Sequence, residues 1–191
     1  MKNNVRYIIK CKREKNMFLS DVTIKEYIQK GKIEVKGEYE IETNGISLHL
    51  GNELLIQKPY QVADSQKPQE IEYIKYNLKE RPYVLKPNDF VLGATKELIK
   101  TDKDIITMID GRSTYARLGM TIHLSAMVLD GVPFNSESSV LEIKNNGFLN
   151  IVLHSGEKIG TYLFAMLTTP MEGEKNSVYS NQTTVTPPKF V

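Results

Sequence analysis

The feature that most constrains this chain is a succession of short apolar segments, each closed by turn residues, that fills its second half. Tyr83–Leu85, Phe90–Gly93, Ile105–Ile109, Thr121–Val128, Val140–Lys144, Ile151–Leu153 and Gly160–Leu167 follow one another. Pro87-Asn88-Asp89, Asn145-Asn146-Gly147 and Ser155-Gly156-Glu157 separate some of them. Such residues tolerate left-handed backbone or bond to their own main chain, so they reverse the chain cheaply. Segments this short bury a face only by pairing as strands. Their regular spacing predicts a mainly β sandwich or barrel.

Upstream, Ile33 and Val35, then Ile46, Leu48 and Leu50, alternate with polar residues as half-buried strands do, and Glu53–Gln57 is another short apolar run. Residues 58–80 are polar and lysine-rich and contain Pro59 and Pro68, which predicts a long connection. One helix is expected, in the stretch 17–33. Ser20 or Asp21 is placed to cap it, Ile24, Tyr27 and Ile28 recur at helical spacing, and Gly31 sits at a C-cap position. Residues 1–16 form a basic N-terminal extension, either an appendage or an edge strand around Tyr7–Ile9. Residues 17–170 form the β domain and 171–191 a tail, with the polar stretch from Thr168 onward expected to be poorly anchored.

A length of 191 residues suits one domain. A net charge of +2 makes no case for a nucleic-acid or membrane-surface partner, and no apolar run is long enough to span a bilayer. One cysteine, Cys11, forms no internal disulfide, which suits a reducing, cytoplasmic setting.

Gly111-Arg112-Ser113-Thr114-Tyr115-Ala116-Arg117-Leu118-Gly119 concentrates chemistry. Two arginines and two hydroxyls between glycines can bring guanidinium forks and hydroxyl and amide donors to one small volume, as a triphosphate requires. Alternatively it is a helix start, capped by Asp110 or Ser113, with solvated arginines. In Val140-Leu141-Glu142-Ile143 the flanking Leu141 and Ile143 face one way and Glu142 the other. A carboxylate turned into a pocket there could act as general base and acid; one turned outward is an ordinary solvated side chain. His49, His123 and His154 have no metal-ligand spacing, and His123 reads as a packed, hydrogen-bonded histidine. Tyr115 reads equally as a core or an interface side chain.

These segments are collinear with a known signature. GRSTYARLG, TIHLSA, the Leu129-Asp130 pair, VLEIKNNG and SGEKIG resemble the core motifs of the dCTP deaminases, in the dCTP deaminase and dUTPase superfamily. MFLSDVTIKEYIQKGKI resembles that family's opening, GISLHLG its SIDLRLG, LKPNDFVLG its LxPGEFVLG, and Tyr179 to Gln182 its KYxxQ. The resemblance spans about Met17 to Gln182 and implies a distorted jelly-roll-like β fold. It further implies a homotrimer with active sites shared between subunits, acting on dCTP or dUTP.

By the same resemblance Glu142 is the general base, Ser113 and the Ala126 carbonyl hold the attacking water, and Arg117 stabilises charge at the reacting centre. Asp130 meets the deoxyribose, and Arg112, Thr114, Val140, Tyr179 and Gln182 complete the nucleotide site. The implied reaction is zinc-independent deamination of dCTP to dUTP and ammonia. One cysteine cannot satisfy the ligand pattern of a zinc deaminase. Magnesium, where used, is bound through the nucleotide phosphates. Alternatives are a dUTP diphosphatase, a bifunctional enzyme, or a non-catalytic nucleotide-binding homologue. Trimeric dUTPases carry a glycine-rich C-terminal motif, whereas TTVTPPKFV has no glycine, which favours the deaminase branch.

Departures from the pattern bear on activity. Ser47 and His49 replace the family's Asp and Arg, Thr161 its Gln, and residues 131–138 a shorter turn. Val178 stands where some members have a phosphate-binding lysine, a loss of about 1–3 kcal/mol where that bond is charged. Lys175 or Lys189 is left as a substitute, which the sequence alone does not decide.

Overall fold

The computed structural model describes residues 18–129, 137–172, 179 and 182–190. Expectations for residues 1–16 and for Asp130, Lys175 and Val178 fall outside these, as does most of the 131–138 loop. Helix α1 (Asp21–Gln29) opens the described chain. It buries Ile24 completely, and Gly31, at φ +69°, ends it where a side chain would be strained. Ser20 is the N-cap, but its side chain makes no capping bond to the backbone.

The strands are β1 (Ile33–Lys36), β2 (Ile41–Glu42), β3 (Gly45–His49), β4 (Glu53–Gln57), β5 (Tyr73–Asn77), β6 (Tyr83–Leu85) and β7 (Phe90–Ala94). They continue with β8 (Leu98–Thr101), β9 (Ile105–Gly111), β10 (Met120–Thr121), β11 (Val128–Leu129), β12 (Val140–Asn145), β13 (Ile151–Leu153) and β14 (Lys158–Met166), and helix α2 (Ser113–Arg117) follows β9. Two five-stranded antiparallel sheets dominate, ordered β10-β12-β7-β4-β5 and β11-β9-β14-β3-β2. β1 pairs with β8 and β6 with β13 in two smaller sheets. The result is the mainly β, distorted jelly-roll-like architecture expected.

The core lies where the inner faces of the two large sheets meet. Ile46, Leu48, Tyr162 and Phe164 from one sheet and Leu54, Val91, Leu141 and Ile143 from the other belong to one cluster and are fully buried. Each such aliphatic side chain removed from water contributes about 1.5–3 kcal/mol before entropy is counted. Some polar groups inside are bonded to one another, whereas the buried Thr101 and Thr107 hydroxyls have no hydrogen-bond partner among the described residues. The Tyr162 hydroxyl donates to Thr95 Oγ1 at 2.8 Å, and the Ser139 N–H donates to the same oxygen at 2.9 Å.

Four expectations are corrected. The 58–80 connection contains β5, an edge strand on β4 with no buried residue, so no apolar pattern marks it. The strand expected over Thr121–Val128 is two short strands, β10 and β11, joined by a turned segment whose amides leave the ladder. β3 is buried on both faces: Ser47 is as inaccessible as Leu48, and its Oγ accepts the Glu40 N–H at 2.9 Å. The described part of the tail is anchored. Val185 is buried with Leu55, Leu92 and Ala94, and the Gln182 carbonyl accepts the Ser138 N–H at 2.9 Å.

Candidate active site

β12 sets the geometry. Leu141, Ile143 and Asn145 point into the core, so Val140, Glu142 and Lys144 must face the other way. Register places Glu142 opposite Leu92 of β7, and both side chains line a cavity of about 520 Å³, a size suited to a small ligand. Val140, Phe90, Gln57 and Tyr73 extend its floor along the same sheet. Leu124, Ser125 and Ala126 from the turned segment form one wall, and Glu137, Ser138 and Ser139 another. Tyr179, Gln182 and Pro188 from the tail close a third side.

Glu142 is partly buried and held at both ends. Its N–H donates to the Ile122 carbonyl, and its Oε2 accepts the Leu124 N–H, both at 2.9 Å. One bond fixes the carboxylate's position and leaves its other oxygen available. The chain turns at Leu124 because this amide serves the carboxylate rather than a neighbouring strand. Glu137, only 7% exposed, is a second carboxylate in the lining. Among the described lining residues there is no lysine, arginine or histidine.

The expected site residues therefore fall into two groups. Glu142, Ala126, Val140, Tyr179 and Gln182 share the cavity; Arg112, Ser113, Thr114 and Arg117 do not line it. Within one chain the floor is β7 and β12, not the arginine-serine turn. β9 passes the chain to α2 at the Gly111–Gly160 pair, on the other large sheet.

The turn is a single helical turn with Arg112 at the N-cap; neither Asp110 nor Ser113 caps it, because the Asp110 carboxylate accepts the adjacent Gly111 N–H at 2.7 Å. Ser113, Thr114 and Arg117 are exposed. Arg112 donates to Glu42 Oε1 at 3.1 Å, and the same carboxylate accepts Thr161 Oγ1 at 2.8 Å and Lys158 Nζ at 3.2 Å. Burial pushes the Glu42 carboxyl up, but these bonds and the charges of Lys158 and Arg112 outweigh it and hold the group below its ordinary value. Tyr115 is half-buried against the core, and burial together with its bond to Glu157 pushes its hydroxyl pKa up.

The exit of α2 is tightly seated. Gly119 has φ +89°, and a Cβ there would meet Gly147 N at 2.5 Å, while one on Gly147 would meet the Leu118 carbonyl at 2.1 Å. Only glycine fits at either position. Gly147 is kept in place by Asn145, whose Oδ1 accepts its N–H at 3.0 Å.

The histidines stand apart from the cavity. His123 Nε2 is 3.5 Å from Asp110 Oδ1, and its buried Nδ1 has no hydrogen-bond partner among the described residues, so the ring is packed but only half satisfied. His49 Nδ1 is 2.6 Å from Oε1 of the fully buried Glu97, whose Oε2 accepts the His49 N–H at 3.0 Å.

A family profile described as dCTP deaminase-like matches residues 18–167. The chain belongs to the dCTP deaminase-like family. The "dCTP deaminase, dUMP-forming" of Methanobrevibacter smithii is 34% identical over 179 residues, covering 86% of this chain and 90% of that protein. The protein of the same description from Dictyoglomus thermophilum is 32% identical over 178 residues, covering 87% and 91%. Among solved structures, the 2'-deoxycytidine 5'-triphosphate deaminase of Agrobacterium tumefaciens superposes with a TM-score of 0.61 at 14% identity, a likeness of fold. It covers 80% of this chain, which spans 49% of that one.

For this dCTP deaminase-like chain, the lining residues that sequence reading missed are those on β4, β5 and β7, Leu124, Ser125, Val128 and Leu129 beside the expected Ala126, and Glu137 to Ser139 and Pro188. Alternation in Phe90-Val91-Leu92 places Phe90 and Leu92 on one face, which is the available signal. Which strand they oppose is a matter of register between residues about fifty positions apart.

Proposed function

We propose that this protein deaminates dCTP, with Glu142 as the general base. The observation that supports it is a carboxylate on the floor of a nucleotide-sized cavity, fixed through one oxygen by a backbone amide. In this reading, Glu142 takes a proton from a water held near the Ala126 carbonyl as the water's oxygen bonds to C4 of cytosine. The proton passes to the ring nitrogen and stays there, and the proton left on the added hydroxyl is carried by Glu142 to the departing amino group as the C4–N bond breaks, so that dCTP and water become dUTP and ammonia. Val140, Tyr179 and Gln182 hold base and sugar, and Asp130 meets the deoxyribose.

The exposed Ser113, Thr114 and Arg117, with Arg112, serve the cavity of a neighbouring copy in a homotrimer with shared sites. Their supply of charge at a site lined by carboxylates is what makes assembly necessary. No three His, Cys, Asp or Glu side chains among the described residues converge on a metal position. Magnesium, in this reading, is carried by the phosphate oxygens. Among the described residues no helix is long and apolar enough to cross a membrane. The partner is a nucleotide, not a nucleic acid or a bilayer, and the setting is cytoplasmic.

A second reading has one specific support. The relatives cited above are named dUMP-forming. The same site would then also hydrolyse dUTP with a second water, giving dUMP and pyrophosphate. Incubation with dCTP or dUTP and magnesium, with quantification of ammonia, dUTP, dUMP and pyrophosphate, separates the two. No ammonia from dCTP would refute deamination. Mixing inactive Glu142→Gln with inactive Arg117→Ala tests sharing: activity returns in mixed trimers if the two groups come from different copies.

A further inference from the structure

Glu42 ends β2, the edge strand of its sheet, and its carboxylate is met by donors from two other elements. From β14, Thr161 Oγ1 donates to Oε2 at 2.8 Å and Lys158 Nζ to Oε1 at 3.2 Å. From the start of α2, Arg112 Nη1 donates to the same Oε1 at 3.1 Å. Lys158 is itself tied to Glu40, so the β14 bonds leave Glu42 little freedom of its own. The carboxylate is thus a fixed acceptor, whereas a free arginine is a long side chain with many rotamers. The bond to Nη1 sets the direction of the guanidinium and leaves the rest of its fork for another acceptor. Lys158 on the shared oxygen takes up part of the charge that Arg112 would otherwise neutralise alone. Arg112 also heads the turn on which Ser113, Thr114 and Arg117 stand exposed. An arginine ordered before the ligand arrives loses less entropy when it meets phosphate.

We infer that Glu42 is a positioning residue that acts through Arg112, presenting this guanidinium to the phosphate chain of the nucleotide bound at a neighbouring copy. The inference rests on the dCTP reading and adds to it a residue that never touches the substrate. Initial rates of ammonia release from dCTP, with deoxycytidine as a competing ligand that lacks phosphates, test it on the full chain, on Glu42→Gln, on Arg112→Ala and on the double variant. Glu42→Gln keeps an oxygen for Thr161 but loses the charge that directs Arg112. It raises KM for dCTP about tenfold, a coupling of the size found between members of one charged network, with kcat nearly unchanged. The inhibition constant of deoxycytidine stays at the wild-type value. Arg112→Ala lowers kcat/KM for dCTP, and adding Glu42→Gln to it lowers kcat/KM no further. Glu42→Asp keeps the charge but draws it back by one methylene; it gives the same selective rise in KM and serves where Glu42→Gln does not fold. An equal loss on dCTP and deoxycytidine, or a loss that persists undiminished beside Arg112→Ala, assigns Glu42 to joining β2 and β14 alone and overturns the inference. An unchanged KM in Glu42→Gln overturns it too, as does an indifferent Arg112→Ala, while deamination by the wild type stands. If the wild type releases no ammonia from dCTP, the dCTP reading itself falls.

Discussion

Replacing Asn145 by alanine is the sharpest test of how this site is held together. The side chain is completely buried and its hydrogen-bonding groups are all engaged. Nδ2 donates to the Leu85 carbonyl at 3.0 Å and to the Leu149 carbonyl at 2.8 Å, and Oδ1 accepts the Gly147 N–H at 3.0 Å. Alanine removes all three bonds. At about 0.5–1.5 kcal/mol each, the loss is roughly 2–4 kcal/mol. For a domain of this size that lowers the unfolding temperature by roughly 5–15 °C. Asn145→Asp keeps the acceptor, loses both donors and puts a charge in a dry site, so it is at least as damaging. Thermal unfolding followed by circular dichroism measures both variants. A drop of less than about 2 °C for Asn145→Ala would mean that the three bonds do not hold the turn, and the reasoning would fail.

Three further outcomes are expected. Glu142→Gln retains an oxygen for the Leu124 amide, so nucleotide binding survives while kcat for ammonia release falls about 10²–10⁴-fold; turnover at the normal rate would remove Glu142 from its role. Tyr162→Phe leaves the Thr95 and Ser139 hydroxyls short of a partner and costs about 1–3 kcal/mol, read as a lower urea midpoint with unchanged slope. The Glu42 carboxyl lies below its ordinary value of 4.5 in the folded chain, so its stabilising contribution is present above that value and lost as pH falls through the folded one. Urea midpoints on both sides of that value should accordingly fall less on acidification in Glu42→Gln than in the wild type.

Much of the fold was legible because β12, β7 and β14 advertise their faces. Leu141 and Ile143 around Glu142 showed that the carboxylate faces away from the core side, though not that this face meets a cavity rather than solvent. β5 was illegible because an edge strand that buries nothing has no apolar alternation to show. Buried polar residues were hidden for another reason: Glu97 looks like any surface glutamate until His49, 48 positions away, supplies its partner. Apolar alternation through Thr121–Val128 misled, since it does not reveal that the Leu124 amide is taken by Glu142. The motif residues of the arginine-serine turn were readable as a group, but sequence proximity says nothing about which cavity they serve. That depends on the sheet from which α2 departs.

The backbone contact between Gly119 and Gly147 couples two chain reversals that have no side chain to cushion them. With the Asn146 N–H also donating to the Gly119 carbonyl at 2.8 Å, the β12–β13 turn and the end of the arginine helix are joined backbone to backbone. An insertion in either loop would displace the other. The aim of Arg117 is thereby tied to the strand that carries Glu142, through main-chain atoms alone.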